Sequence, residues 1–197
     1  MKKIVRIQKD HLDQIIEIFL TELSISPLAL LGKKFIKKMF QLLLKENLGF
    51  VSISEETQNV IGFIIMNKKK ISLFRCITFE SLIYLITKIL IKKIYLKAFF
   101  TSFFRLYLSR DNLWNKDKST VELSHFAVRE GYKNKGVGSE LIRRLEEQAK
   151  LEGYTKVFTS THNLDLVQSY KIKKKAEILS VIDIEIYKSH NIIWTIN

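Results

Sequence analysis

The chain has one cysteine, one proline, seven glycines and four histidines among 197 residues. A lone Cys76 cannot close an internal disulfide and fits a reducing compartment. Few prolines and glycines leave room for long regular elements, and no linker, low-complexity tract or internal repeat interrupts them. His11, His125, His162 and His190 stand apart in sequence, which excludes a recognisable metal-ligand cluster. Lys2 and Lys3 are not followed by an apolar run, so no secretory signal is read and the expected location is the cytoplasm. The uncharged runs of the apolar middle stretch last about seven residues, well short of the roughly 20 that a membrane span needs. Helix-turn-helix, zinc-finger and RRM signatures are missing, so nucleic acid is not the expected partner despite the positive charge.

What is present is a chain that is 47% hydrophobic with a net charge of +13. That is enough apolar material for one sizeable core, and the expectation is a single domain over residues 1–197 with an insertion. Residues 4–8 alternate as a short strand. Asp10 can cap a helix whose apolar stripe is Leu12, Ile15, Ile16 and Phe19. Residues 49–53 and 60–66 read as paired strands around the polar hairpin loop 55–59. Residues 120–128, Thr-Val-Glu-Leu-Ser-His-Phe-Ala-Val, read as a half-buried strand, and Leu141, Ile142, Leu145 and Ala149 form one face of a helix.

Between that strand and that helix lies Lys133-Asn134-Lys135-Gly136-Val137-Gly138. Glycines at 136 and 138 allow a tight turn and close approach of backbone amides to an oxygen-rich ligand, and the following helix adds its positive dipole end. Lys133 and Lys135 add counter-charge. A third glycine or alanine at position 141 would make this a dinucleotide fingerprint, but Leu141 stands there, and no Gly-Lys-Ser/Thr of the Walker type is present. The bland alternative is a basic turn.

Glu122-Leu-Ser-His-Phe-Ala-Val128, Tyr132, and the Gly136-Val-Gly138 turn with its helix resemble the acyl-CoA motif of the GNAT N-acyltransferase superfamily. The family motif reads Arg/Gln-x-x-Gly-x-Gly/Ala; Lys133 occupies the Arg/Gln position and keeps the cation without the planar fork. A strand over 155–161 ending at His162-Asn163, with Tyr170 seven residues on, is similar to the Asn-then-Tyr spacing of the family. Where the family has a Leu-Gly-Phe type turn after that helix, this chain has Lys173-Lys174-Lys175-Ala176.

The resemblance implies an α/β GNAT fold, a mixed and mostly antiparallel central sheet flanked by helices. It implies acetyl-CoA as co-substrate and direct attack of a neutral amine on the thioester, with no metal. It places Phe126, Ala127, Val128, Lys133, Asn134, Lys135, Gly136, Val137, Gly138, Ser139 and Asn163 around the acyl-CoA. Glu122 is the first candidate general base, with His125 next and His162 weaker. Tyr170 is the candidate proton donor to the leaving thiolate. An exposed strand residue is the alternative for Glu122, and a core aromatic is the alternative for Tyr170.

The departure from that pattern is the stretch 68–118, a basic helical insertion before the fourth strand that carries +9 of the net charge. Residues 79–108 read as one bent or two consecutive helices. They suit a hairpin solvated on its lysine side, a wall over the acceptor site, a peripheral contact with the inner membrane face, or a subunit contact in a homodimer. Insertions of this kind resemble those of members thought to act on amino sugars. That resemblance implies a small amine acceptor such as a nucleotide-linked amino sugar. The rivals are acetylation of a protein or peptide amine, and a non-catalytic CoA-binding module that attaches to a membrane or partner.

Overall fold

The computed structural model describes residues 2–24, 26, 28–68, 76, 79, 83, 86–87, 117–184 and 187–196. Most of the 68–118 stretch, with its expected helices over 79–108, lies outside the described residues.

Seven strands follow one another as β1 (Lys2–Arg6), β2 (Leu48–Ser54), β3 (Val60–Asn67), β4 (Thr120–Val128), β5 (Lys156–Thr161), β6 (Glu177–Ile184) and β7 (Tyr187–Thr195). They hydrogen-bond in the order β1-β2-β3-β4-β5-β7-β6. β4 and β5 run parallel, while β1–β2, β2–β3, β5–β7 and β6–β7 are antiparallel. The described helices longer than a 3-10 turn are α1 (Leu12–Glu22), α2 (Gly32–Glu46), α3 (Val137–Leu151) and α4 (Leu164–Lys174). This is the α/β GNAT fold, with a mixed, mostly antiparallel sheet flanked by helices.

Contacts divide the chain into two compact units. One comprises Met1–Ile94 and His125–Leu145, the other Tyr95–Ser124 and Glu146–Asn197. In the first, every residue of β3 is buried, as expected for an uninterrupted Val-Ile-Gly-Phe-Ile-Ile-Met run covered on both faces. α1 buries Leu12, Ile15, Ile16 and Phe19, the stripe expected from their spacing. Its start differs from expectation: Lys9–His11 forms a 3-10 turn in which the Gln8 amide donates to His11 Nδ1 at 3.1 Å, so Asp10 does not cap the helix. α2 buries Phe35, Ile36, Met39, Phe40 and Leu43 along one face. The Phe40 ring meets Phe19 at 5.5 Å and Phe63 at 5.7 Å, both edge-on, a geometry worth about 0.5–1.5 kcal/mol per pair beyond area burial.

In the second unit the β4–β5 ladder pairs Thr120–Leu123 with Lys156–Thr159 and ends there, although β4 runs on to Val128 and β5 to Thr161. The buried Thr159 hydroxyl donates to the Leu123 carbonyl at 2.9 Å where the ladder stops. α4 starts at Asn163, whose side chain accepts from the amides of Asp165 and Leu166. It ends at Lys175, which takes φ +52° in the left-handed region while the Ala176 amide donates back to the Tyr170 carbonyl at 3.3 Å. The glycine that usually supplies this conformation is replaced by a lysine, at a cost of about 1 kcal/mol.

Candidate active site

The first unit carries the Gly136-Val-Gly138 turn. β4 ends where the Arg129 amide donates to the Ile61 carbonyl, and the next residues are fastened to α1. Arg129 donates through both terminal nitrogens to Glu17 at 3.1 and 3.2 Å and through Nε to the Val60 carbonyl at 2.9 Å. The Glu130 amide donates to Glu22 at 3.0 Å. Lys133 pairs with Glu130 and, at 2.8 Å, with Glu22, and these two carboxylates hold its ammonium above the usual lysine range. The cation at the Arg/Gln position of the motif is therefore already neutralised by two acids, one of them 111 residues earlier in the chain.

Past Lys133 the backbone reverses through Asn134 at φ +60° and Gly136 at φ +76°. Left-handed residues spaced this closely bring main-chain amides together, as anion-binding concavities require. The Lys135 ammonium lies 5.6 Å from the centre of the Tyr132 ring. α3 begins at Val137, which is buried, and exposed Ser139 lies in its first turn. At Gly138 a Cβ atom would stand 3.0 Å from Phe126 Cζ, so the strand's phenyl ring and the helix start approach as closely as a residue without a side chain allows. Of the neighbouring β4 positions, Ala127 is buried and Val128 partly exposed.

His125 sits on this unit's aromatic cluster, its ring 5.6 Å from Phe19 and 5.7 Å from Phe40. A separate cavity of about 350 Å³ opens beside Gln14, Glu17, Thr57, Asn59, Arg129 and Tyr132. It includes none of the candidate catalytic residues.

The second unit holds Glu122, Asn163 and Tyr170. Glu122, in register with Phe158 on β5, is 2% exposed, which excludes the alternative of a solvated strand residue. Exposed Asn163 is occupied as the cap of α4 through its Oδ1, accepting at 2.9 and 3.2 Å. Burial holds His162 below the usual histidine range, so it stays neutral near pH 7.

Tyr170 is buried and stacks on Trp194 of β7, with centroids 5.0 Å apart and planes 19° from parallel. The Trp194 indole donates to Glu146 Oε1 at 2.7 Å, and Lys174 donates to Oε2 of the same carboxylate at 2.5 Å. Burial first, and the nearby Glu146 charge second, push the Tyr170 phenol well above its usual range, which keeps it protonated. It is a core aromatic with a neutral phenol. Glu22, which pairs with Lys133, and Glu146, which holds the Trp194 ring under Tyr170, carry no sequence signature; only folding brings them to their partners. Among the described residues no group of acidic, histidine or cysteine side chains could hold a metal ion, and no helix is long and apolar enough to cross a membrane.

A parallel β4–β5 pair whose ladder stops short and a glycine turn leading from β4 into α3 are the features expected of the GNAT acetyltransferase class. The model of the acetyltransferase (GNAT) family matches residues 12–172, and the chain belongs to that family. Its fold resembles an N-acetyltransferase from Staphylococcus aureus Mu50 (TM-score 0.64, 13% identity, covering 100% of this chain and 99% of that one). It also resembles Ard1 from Thermoplasma volcanium (0.62, 13%, covering 100% and 98%). The ribosomal-protein-S18-alanine N-acetyltransferase from Escherichia coli is similar too (0.55, 11%, covering 100% and 95%). At these identities the likeness is one of fold. No curated protein matches the sequence.

Proposed function

We propose that the protein acetylates the primary amine of a small anionic acceptor, a nucleotide-linked amino sugar, and that it works in the cytoplasm or against the inner membrane face. The observation that carries the acceptor is charge: residues 68–118 hold +9 of a net +13, the complement of a diphosphate. The mechanism that family membership supports is direct transfer. The diphosphate of acetyl-CoA lies in the Asn134–Ser139 turn against the start of α3, where amides and the helix dipole meet its charge. The thioester carbonyl lies by the Phe126–Val128 backbone, whose main-chain amides can meet the developing oxyanion.

The acceptor nitrogen attacks the thioester carbon as Glu122 takes its proton, directly or through water. The tetrahedral intermediate collapses with loss of the thiolate, and Tyr170 gives that sulfur a proton. A positioned general base contributes about 10²- to 10⁴-fold. His125, set among Phe19 and Phe40, is the alternative base.

The test is release of free thiol from acetyl-CoA with nucleotide-linked amino sugars, polyamines and short peptides as acceptors. Turnover on an amino sugar, inhibited by the free nucleotide and reduced at least tenfold in kcat by Glu122→Gln and by Tyr170→Phe, supports the proposal. Turnover on peptides alone replaces the acceptor with a protein amine. CoA binding without turnover on any acceptor leaves a binding module.

A further inference from the structure

The first residue of β1 reaches the glycine turn. Lys2 Nζ donates to the Lys135 carbonyl at 3.2 Å and pairs at 3.0 Å with Glu140, in the first turn of α3. The same ammonium would stand 3.5 Å from a Cβ atom placed on Gly136. Its side chain is 27% exposed and that of Glu140 33%.

We infer that Lys2 is a positioning residue for the cofactor's diphosphate, acting through the Lys135–Gly136 peptide and through Glu140 rather than by touching the ligand. This rests on the reading of the turn given above. The argument is geometric. No peptide bond among the described residues is cis, and across a trans peptide the carbonyl and the next N–H point in opposite directions. With the Lys135 oxygen held toward Lys2, the Gly136 N–H is aimed away from the Lys2 ammonium. Gly136, at φ +76° and without a Cβ atom, adds little steric restraint of its own to this peptide. The second contact is electrostatic. Glu140 favours the helix start but would repel a diphosphate there, and pairing with Lys2 removes that repulsion. Lys133 cannot substitute for Lys2, because Glu22 and Glu130 already hold it.

The experiment is calorimetric titration with CoA of the wild type, Lys2→Met, Lys2→Arg and Gly136→Val, with melting temperatures measured in parallel. Lys2→Met keeps the aliphatic stem and removes the ammonium. It is expected to raise Kd for CoA about three- to tenfold, the worth of one ordinary hydrogen bond, since Lys2 is partly exposed and acts through the turn, and Lys2→Arg restores most of the loss. An unchanged Kd in Lys2→Met overturns the inference, as does failure of arginine to restore affinity at an unchanged melting temperature. Gly136→Val separates the two claims. If it leaves Kd unchanged, the turn does not bind the diphosphate and both fall; if it weakens CoA while Lys2→Met does not, only the role of Lys2 falls.

Discussion

Replacing Glu146 by alanine removes the carboxylate that fastens Trp194 and Lys174, and with them the ring on which Tyr170 stacks. Two terms set the loss of stability. The Trp194 indole is 2% exposed and loses its acceptor, which costs about 1–3 kcal/mol for a buried donor left unpaired. Lys174 is 28% exposed and can turn its ammonium to water, so the ion pair adds about 1 kcal/mol at most. The sum, about 1–4 kcal/mol, corresponds to a fall in melting temperature on the order of 10 °C for a chain of this size. Glutamine at 146 keeps an acceptor for the indole and is expected to cost about 1 kcal/mol. Urea unfolding followed by tryptophan fluorescence measures both variants. A change under about 0.5 kcal/mol in Glu146→Ala, or equal damage from Glu146→Gln, refutes the account of this cluster. Because the stack orients Tyr170, kcat is expected to fall with Glu146→Ala under conditions where the variant remains folded.

Two further outcomes follow from local geometry. Lys175→Gly relieves a left-handed lysine at the end of α4 and is expected to stabilise the protein by about 0.5–1 kcal/mol, read as a raised urea midpoint at constant m-value; a lowered midpoint contradicts it. The Ser119 hydroxyl and amide, and then Lys156, hold the Asp117 carboxyl well below the usual carboxylate range. A depressed folded value means that the unfolded chain binds the proton more readily. The stability from this group is full above about pH 4 and is lost as pH falls through the folded value. An NMR titration of the Asp117 carboxyl with a midpoint near 4 would contradict this.

Periodicity and turn chemistry made much of this fold legible in the sequence. The stripe Leu141, Ile142, Leu145 and Ala149 is buried along α3, the hairpin loop falls at 55–59, and β4 spans the nine residues expected of it. Each depends on contacts close in sequence or on a period that burial imposes. α2 is equally periodic through Phe35, Ile36, Met39, Phe40 and Leu43, but no motif draws attention to it. Asp10 looked like a helix cap because residue type alone does not reveal the 3-10 turn in which His11 bonds the Gln8 amide. The candidate site was legible as a set of residue types around a glycine turn, and its wiring was not. Glu22 reaches Lys133, Lys2 reaches Lys135, and Glu146 reaches Trp194 over separations that only the folded chain closes.

The most direct test of the central claim, that the turn from Asn134 to Ser139 holds the diphosphate of acetyl-CoA, is a map of backbone amide shifts on titration with CoA. The account predicts the largest changes at the amides of residues 134–139, with smaller ones at 126–128. Saturable CoA binding that leaves the 134–139 amides unmoved would contradict it.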